Sequence, residues 1–412
     1  MKIRSLLLGT VAAAGLSTGA FATDLGVETG LDVCDDLGLT GLTISSDTNC
    51  LQISGSVHFE YTWGDYAPGY EIMSYFDVDT SNYSVDDSDG TNDSSVSFDS
   101  WLKFVATADS SFGPASATIK WDLDASTISQ LYVSIGEGTV FTAGRADSIF
   151  KDGEDEPKNF LGLFNSEVVD AGVIDVDQSS VVTGGNVLQV VSSMDNFWIG
   201  GGLENLGSTP AVSSVVGVVA YNTDDIKAHA SFAADGILAG GIADWVFHSG
   251  FEGTFDMVSI VGAYGTNSDG MSNALGSVSA TFDNFTIAGS GEWFQDTNAT
   301  EWGVGASIAS EVSDGVTVKL GWRHYENDDN APFDTLDQVA AQVVAAVSDE
   351  VTLTGEVGAI ANGANSLNGP TSVFYGSGKV EWNPGGDFKA SVKGEANSWG
   401  AYKITTTAEK SF

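Results

Sequence analysis

The chain reads as an all-β protein: a transmembrane antiparallel closed β-barrel of roughly 16–20 strands with an inward-folded third loop. Three observations predict this class. In LQISGSVHFEYTW, Leu51, Ile53, Val57, Phe59, Tyr61 and Trp63 alternate with Gln52, Ser54, Ser56, His58, Glu60 and Thr62, the period-2 signature of a strand with one apolar and one polar face. In the closing stretch AYKITTTAEKSF, Tyr402, Ile404, Thr406, Ala408 and Phe412 share one face, which leaves an aromatic carboxyl terminus at a membrane interface. Gly 50 against Pro 7, with near-zero mean hydropathy, suits two-faced strands better than a buried globular core.

Residues 1–22 have the form of a secretory signal peptide. Lys2 and Arg4 supply the charged start, Leu6 to Leu16 the apolar run, and Ala20-Phe21-Ala22 the small-x-small cleavage site. That run is about 11 residues, well short of the roughly 20 needed to span a bilayer as a helix, and no later stretch reaches that length. The mature chain is expected to begin near Thr23, with residues 23–50 as an N-terminal segment and 51–412 as the barrel. Export plus membrane strands predicts the outer membrane of a Gram-negative cell, with outer-membrane lipid and lipopolysaccharide as the surroundings.

The formal charge of −41 becomes −43 once Lys2 and Arg4 leave with the leader. Such a surface repels phosphate, so nucleic acid is not an expected partner. Acid on exposed loops is compatible with solubility, with salt-rich surroundings, or with divalent cations bridging loops to anionic lipid. Cys34 and Cys50 belong to an exported chain in an oxidising compartment, where a disulfide closing a short loop is the expected state. Metal binding or a redox pair is the alternative, although there is neither CxxC spacing nor an adjacent His.

Short breaks at 109–113, 136–138, 222–225, 283–284 and 383–387 separate the strand-like segments and are expected to be periplasmic turns, with the longer polar stretches outside. Two stretches exceed a hairpin loop. Residues 64–95, rich in Asp, Ser and Asn, suit an outer lid or surface loop. Residues 145–185, after the fifth strand, lie where a constriction loop is expected. They carry Asp147, Asp152, Glu154, Asp155, Glu156, Asp170, Asp175 and Asp177 beside Arg145, Lys151 and Lys158.

Positive charge is sparse. Lys103, Lys120, Lys227, Lys319, Arg323, Lys379, Lys389, Lys393 and Lys403 all fall on the polar parity of their strands, so the register points them into the lumen. Lys103, Lys120, Lys319, Arg323 and Arg145 are the candidate basic wall, set against the acidic loop residues across a narrow opening. Avoidance of lipid predicts the same parity, since a Lys facing lipid at midplane costs about 2–4 kcal/mol.

Other chemistry finds little footing. His58, His229, His248 and His324 are spread over separate strands with no Ser-His-Asp order and no HExxH, so neither an enzyme nor a metal or other cofactor is expected. GSGK at 376–379 lacks the upstream glycine and the Ser or Thr of a phosphate loop. Only Trp101, Tyr132 and Phe294 take the lumen parity among candidate stacking rings, whereas Trp63, Trp121, Trp293, Trp322 and Trp382 face outward as girdle or subunit-contact residues.

VCDDLG followed by TNCLQISGSV, then QLYVSIGEGTVFTAGRADSIF, the leader MKIRSLLLGTVAAAG and the closing KSF together resemble the alpha-proteobacterial outer-membrane porins of the rhizobial and brucella type. The resemblance covers about the first 150 residues and the terminus. It implies a homotrimeric, typically 16-stranded, water-filled channel for passive diffusion of small hydrophilic solutes and ions, with the third loop folded into the pore. It also matches the spacing of Cys34 and Cys50. The sequence departs from that pattern in apparent extra strands after residue 330 and in its few basic residues. A cation-preferring diffusion porin is the leading expectation; a solute-specific channel and a surface structural or adhesion barrel are the alternatives.

Overall fold

A computed structural model describes residues 33–37, 39, 41–66, 75–77, 82–84, 90–164, 173–177, 179–207, 212–296, 300–327, 335–362 and 372–412. The leader, residues 23–32, 38 and 40, and Asp170 lie outside the described residues. One sheet of 21 strands dominates; its short member Leu42–Ser45 pairs with a single neighbour, and the other 20 close into a ring. Each ring strand is antiparallel to the next one in sequence, so the barrel is a run of hairpins.

Closure falls on Cys50–Asp65, which pairs with Asp93–Ala108 on one edge and with Tyr402–Ser411 on the other. Gly55 and Phe412 exchange main-chain hydrogen bonds at 2.9 and 3.0 Å. No strand edge is left unpaired within the ring, which a lipid environment requires because it offers no water to unpaired amides.

The alternation read from the sequence sets the two faces. Trp63, Trp121, Trp293, Trp322 and Trp382 are 37–45% exposed on the outside, while Ser56, Thr62, Thr118, Ser231 and Ser277 are buried on the inside. An apolar exterior spanned by strands such as Trp245–Phe255 and Phe285–Gln295, each of 11 residues and so long enough for the roughly 9–11 needed, defines a transmembrane barrel.

At the end where Phe412 lies, several turns are very short. Asp195, Asp256, Asp283 and Asp387 take φ of 51–56°, the left-handed conformation that tight hairpins demand and that Asp tolerates better than most residues. The same end carries the helical turn Val33–Asp36. Cys34 and Cys50 are disulfide-bonded there with Cα atoms 4.9 Å apart, and Leu42–Ser45 folds back on Cys50–Ile53. The described residues 41–50 thus meet the barrel at the rim where Phe412 lies.

The ladder is longer than the sequence pattern suggested at two places. Gly64 still pairs with Asp93, so the first long loop covers 66–92 rather than 64–95 and includes a small hairpin of Tyr75–Asp77 with Asn82–Ser84. Arg145 and Ala146 pair with Asn186 and Gly185, so the second covers 147–184.

Candidate functional site: a loop folded into the barrel

Residues after Ala146 turn into the lumen and run along the inner wall, strand after strand. Irregular backbone inside a barrel has amides to satisfy, and the wall supplies acceptors for them. The Lys151 amide donates to Ser231 Oγ at 2.9 Å, that of Lys158 to Ser277 Oγ at 2.8 Å, and that of Phe160 to Ser307 Oγ at 2.9 Å. Arg323 then donates from Nη1 to the carbonyls of Leu161 (2.8 Å) and Leu163 (3.3 Å).

Both ends of the loop meet on Glu204, which is fully buried. Its carboxylate accepts the amide of Ile149 at 3.1 Å on the outgoing arm and that of Gly184 at 2.6 Å on the returning arm, together with Gln189 Nε2 at 2.9 Å.

Beneath the loop the inner wall is apolar. Ile149, Phe150, Ile174 and Val181 pack on Val216, Val218, Ala233, Val246 and Phe294. Leu163 and Val173 pack on Val261 and Leu275, and Leu161 on Ala340, Ile360, Val373 and Tyr375. Each such side chain removed from water contributes on the order of 1.5–3 kcal/mol, so the apolar underside, rather than charge, carries most of the docking energy. Close approach requires bare backbone at Gly250 and Gly265. A Cβ there would sit 2.4 Å from the Gly153 carbonyl oxygen and 2.2 Å from that of Ile174.

The acidic residues of the loop divide into two groups. Asp152 and Glu156 are exposed. Glu154 bonds His229 Nδ1, and Asp155 Oδ2 meets His248 Nε2 at 3.4 Å and the Val173 amide at 3.3 Å. The hydrogen bond from His229 holds the Glu154 carboxyl below the usual range against the opposing effect of burial, whereas burial pushes that of Asp175 up. Asp147 accepts Gln130 Nε2 at 2.6 Å at the loop's entrance. Lys158 and Lys227 both meet Glu252, at 2.5 and 3.4 Å.

The candidate basic wall is not one surface. Lys103 and Lys120 sit opposite each other on adjacent strands, with Lys120 Nζ 5.2 Å from the Trp101 ring and 3.7 Å from Asp122. They belong to an arc that begins on Ser372–Gly385, where the loop's contacts end, and that also bears Lys379, Lys393 and Lys403, whose ammonium groups meet Glu381 or Glu395 at 2.6–4.0 Å. Lys319 lies over the Phe160 ring at 5.5 Å. Arg323 is buried, stacked 3.8 Å from the Phe164 ring and bonded to Gln338; it fastens the loop instead of facing it across an opening. Arg145, expected in that wall, does not face the lumen. It pairs with Leu131, 52% exposed on the outer face, and donates to the Ile128 carbonyl, so ladder parity puts it outside.

Of the four histidines expected to be scattered, His229 and His248 meet across adjacent strands. The hairpin register sets His229 opposite Gly250 and Ser231 opposite His248, which leaves the two imidazoles diagonal neighbours on the lumen side, stacked at 5.0 Å with Nε2 of His229 2.8 Å from Nδ1 of His248. Among the described residues no group of three or more His, Cys, Asp or Glu is arranged to hold a metal ion.

No family model matches the chain, and no curated protein matches it. Solved structures with a similar shape include outer-membrane expressed OmpT of Vibrio cholerae, at 12% identity and TM-score 0.43 over 90% of this chain and 100% of that one. An anion-selective porin from Comamonas acidovorans shows 12% identity and TM-score 0.40 over 88% and 100%. OccAB3 of Acinetobacter baumannii shows 8% identity and TM-score 0.46 over 88% and 99%. At these values they assign no activity and no residue role to this chain.

Proposed function

We propose that the chain is an outer-membrane porin of the type its sequence resembles, a water-filled channel for passive diffusion of small hydrophilic solutes and ions. One observation carries the reading. A ring of 20 strands encloses a lumen too wide for side chains to fill, since barrels of about 16–18 strands already leave an aqueous channel, and the loop covers only one arc of the wall. On the other arc Lys379, Glu381 and Lys393 keep 34–37% of their side chains exposed, as charged groups beside water do.

Exposed Asp152 and Glu156 on the loop, within a strongly acidic chain, favour a preference for cations at the narrowest section, where a fixed charge is least screened. The side chains of His229 and His248 are 1% and 0% exposed, so a substrate has no route to this acid–base pair, which counts against a hydrolase reading. The homotrimer and the lipopolysaccharide surroundings follow from the resemblance.

Proteoliposome swelling tests the proposal. Sugars of increasing size are expected to enter at rates that fall smoothly with size. A folded, inserted barrel that admits none of them, or only one with saturation, defeats the diffusion reading.

A further inference from the structure

We infer that Glu154, His229, His248 and Asp155 form a proton-binding latch that makes the docking of the constriction loop depend on pH. The four side chains lie in one line: Glu154 to His229 Nδ1, His229 Nε2 to His248 Nδ1 at 2.8 Å, and His248 Nε2 to Asp155 at 3.4 Å. Two residues belong to the loop and two to the adjacent wall strands Ile226–Ala234 and Trp245–Phe255. Both rings are closed off from water, so no solvent relieves an unmatched contact.

Three contacts need three protons, one in each. Two neutral imidazoles supply two, and both carboxylates accept only. The third proton is therefore taken up when the loop docks and is shared within the line. With it removed, two lone pairs face each other in one contact; with a fourth added, two N–H groups do.

Above the range where free imidazole is charged, the docked state holds one proton more than the undocked state, so docking weakens as pH rises, by up to about tenfold in the docking equilibrium per pH unit. In acid a fourth proton on the line sets two N–H groups against each other in one contact, and docking weakens again. The limit of that acid limb lies where Glu154 itself takes a proton, and this carboxyl is held low by His229. Docking is firmest between the two limbs.

Other charges face the line and set its background. Lys227 and Glu252 do so from the wall, and Lys151, Asp152, Glu156, Lys158, Asp175 and Asp177 from the loop. Asp175 also titrates upward through burial and must be separated from the pair by experiment.

The latch rests on the channel reading, and single-channel recording between about pH 5 and pH 8 keeps the two apart. The full-length folded protein is compared with His248→Gln, whose amide donates and accepts without gaining a proton, and with Asp175→Asn. Expected for the wild type is a minimum in the rate of loop-driven current transitions, rising several-fold to either side. His248→Gln is expected to flatten the profile, and Asp175→Asn to keep it. Heat-modifiable gel mobility verifies that each barrel is folded. A flat wild-type profile, a full response in His248→Gln, or a response abolished by Asp175→Asn alone overturns the latch. Absence of current altogether overturns the channel reading instead.

Discussion

Arg323 reaches from the barrel wall to the Leu161 carbonyl at 2.8 Å, with its guanidinium stacked on Phe164, and so fixes the far end of the inward loop. A buried cation used this way is not a free wall charge. Arg323→Ala leaves two loop carbonyls without a charged donor, each such bond being worth about 1.5–3 kcal/mol. The expected outcome is faster proteolysis within 147–184 and noisier open-channel current. Lys319→Gln, which removes only a cation over the Phe160 ring, is expected to change neither by as much. Equal behaviour of the two variants would remove Arg323 from this role.

Glu204 holds both arms of the loop, and its loss is expected to be graded by acceptor capacity. Glu204→Gln keeps one oxygen acceptor, whereas Glu204→Ala strands the amides of Ile149 and Gly184 at a cost of about 1–3 kcal/mol for each group left unpaired. Limited proteolysis of the folded barrel measures this: the order of loop cleavage is expected to be alanine, then glutamine, then wild type. Indistinguishable rates would mean that the apolar underside alone holds the loop.

Gly265 lies under the loop, with its missing Cβ 2.2 Å from the Ile174 carbonyl oxygen. Gly265→Ala is expected to lift that part of the loop and alter conductance. Gly276→Ala, where nothing lies within 4 Å, is expected to do nothing. A silent Gly265→Ala would show that the loop is not seated at this depth.

Selectivity should follow the exposed acids more than the bonded ones. Asp152→Asn with Glu156→Gln is expected to reduce cation preference, measured as a reversal potential across a salt gradient. Lys103→Gln with Lys120→Gln is expected to strengthen it, since those ammonium groups oppose cation entry from the other arc. An anion-selective wild type, or no response to either pair, would place the narrowest section elsewhere.

The disulfide joins residues 16 apart, a loop for which the chain-entropy estimate is roughly 3 kcal/mol. Cys34→Ser with Cys50→Ser is expected to lower the urea midpoint of the periplasmic segment while leaving channel conductance in place. A matching fall in conductance would show that the segment shapes the pore.

The fold was legible because lipid enforces strict alternation: Val57, Tyr61 and Trp63 against Ser56 and Thr62 announce a strand and its two faces at once. Strand number was only bracketed at roughly 16–20, since half of a loop can show the same alternation as a strand; strand ends were misjudged as well, because Gly64, Asp65 and Asp93 are loop-like residue types yet stay in the ladder. The inward loop was placed correctly by its position after the fifth strand, but its anchoring was not. Ile149, Leu161, Leu163 and Ile174 look like ordinary apolar residues, and their partners Val216, Val218 and Val246 break the alternation only by adding apolar side chains to the inner face. The signal was present in the unbroken run SVVGVVAY. His229 and His248 were missed because their proximity depends on hairpin register, and Arg145 was misplaced because the strand continues through it.

Single-channel recording of the refolded wild-type chain in a planar bilayer tests the channel most directly. The expected result is stepwise, ohmic current whose size scales with bulk salt without saturation. A barrel that inserts, shows folded gel mobility and passes no current would contradict it.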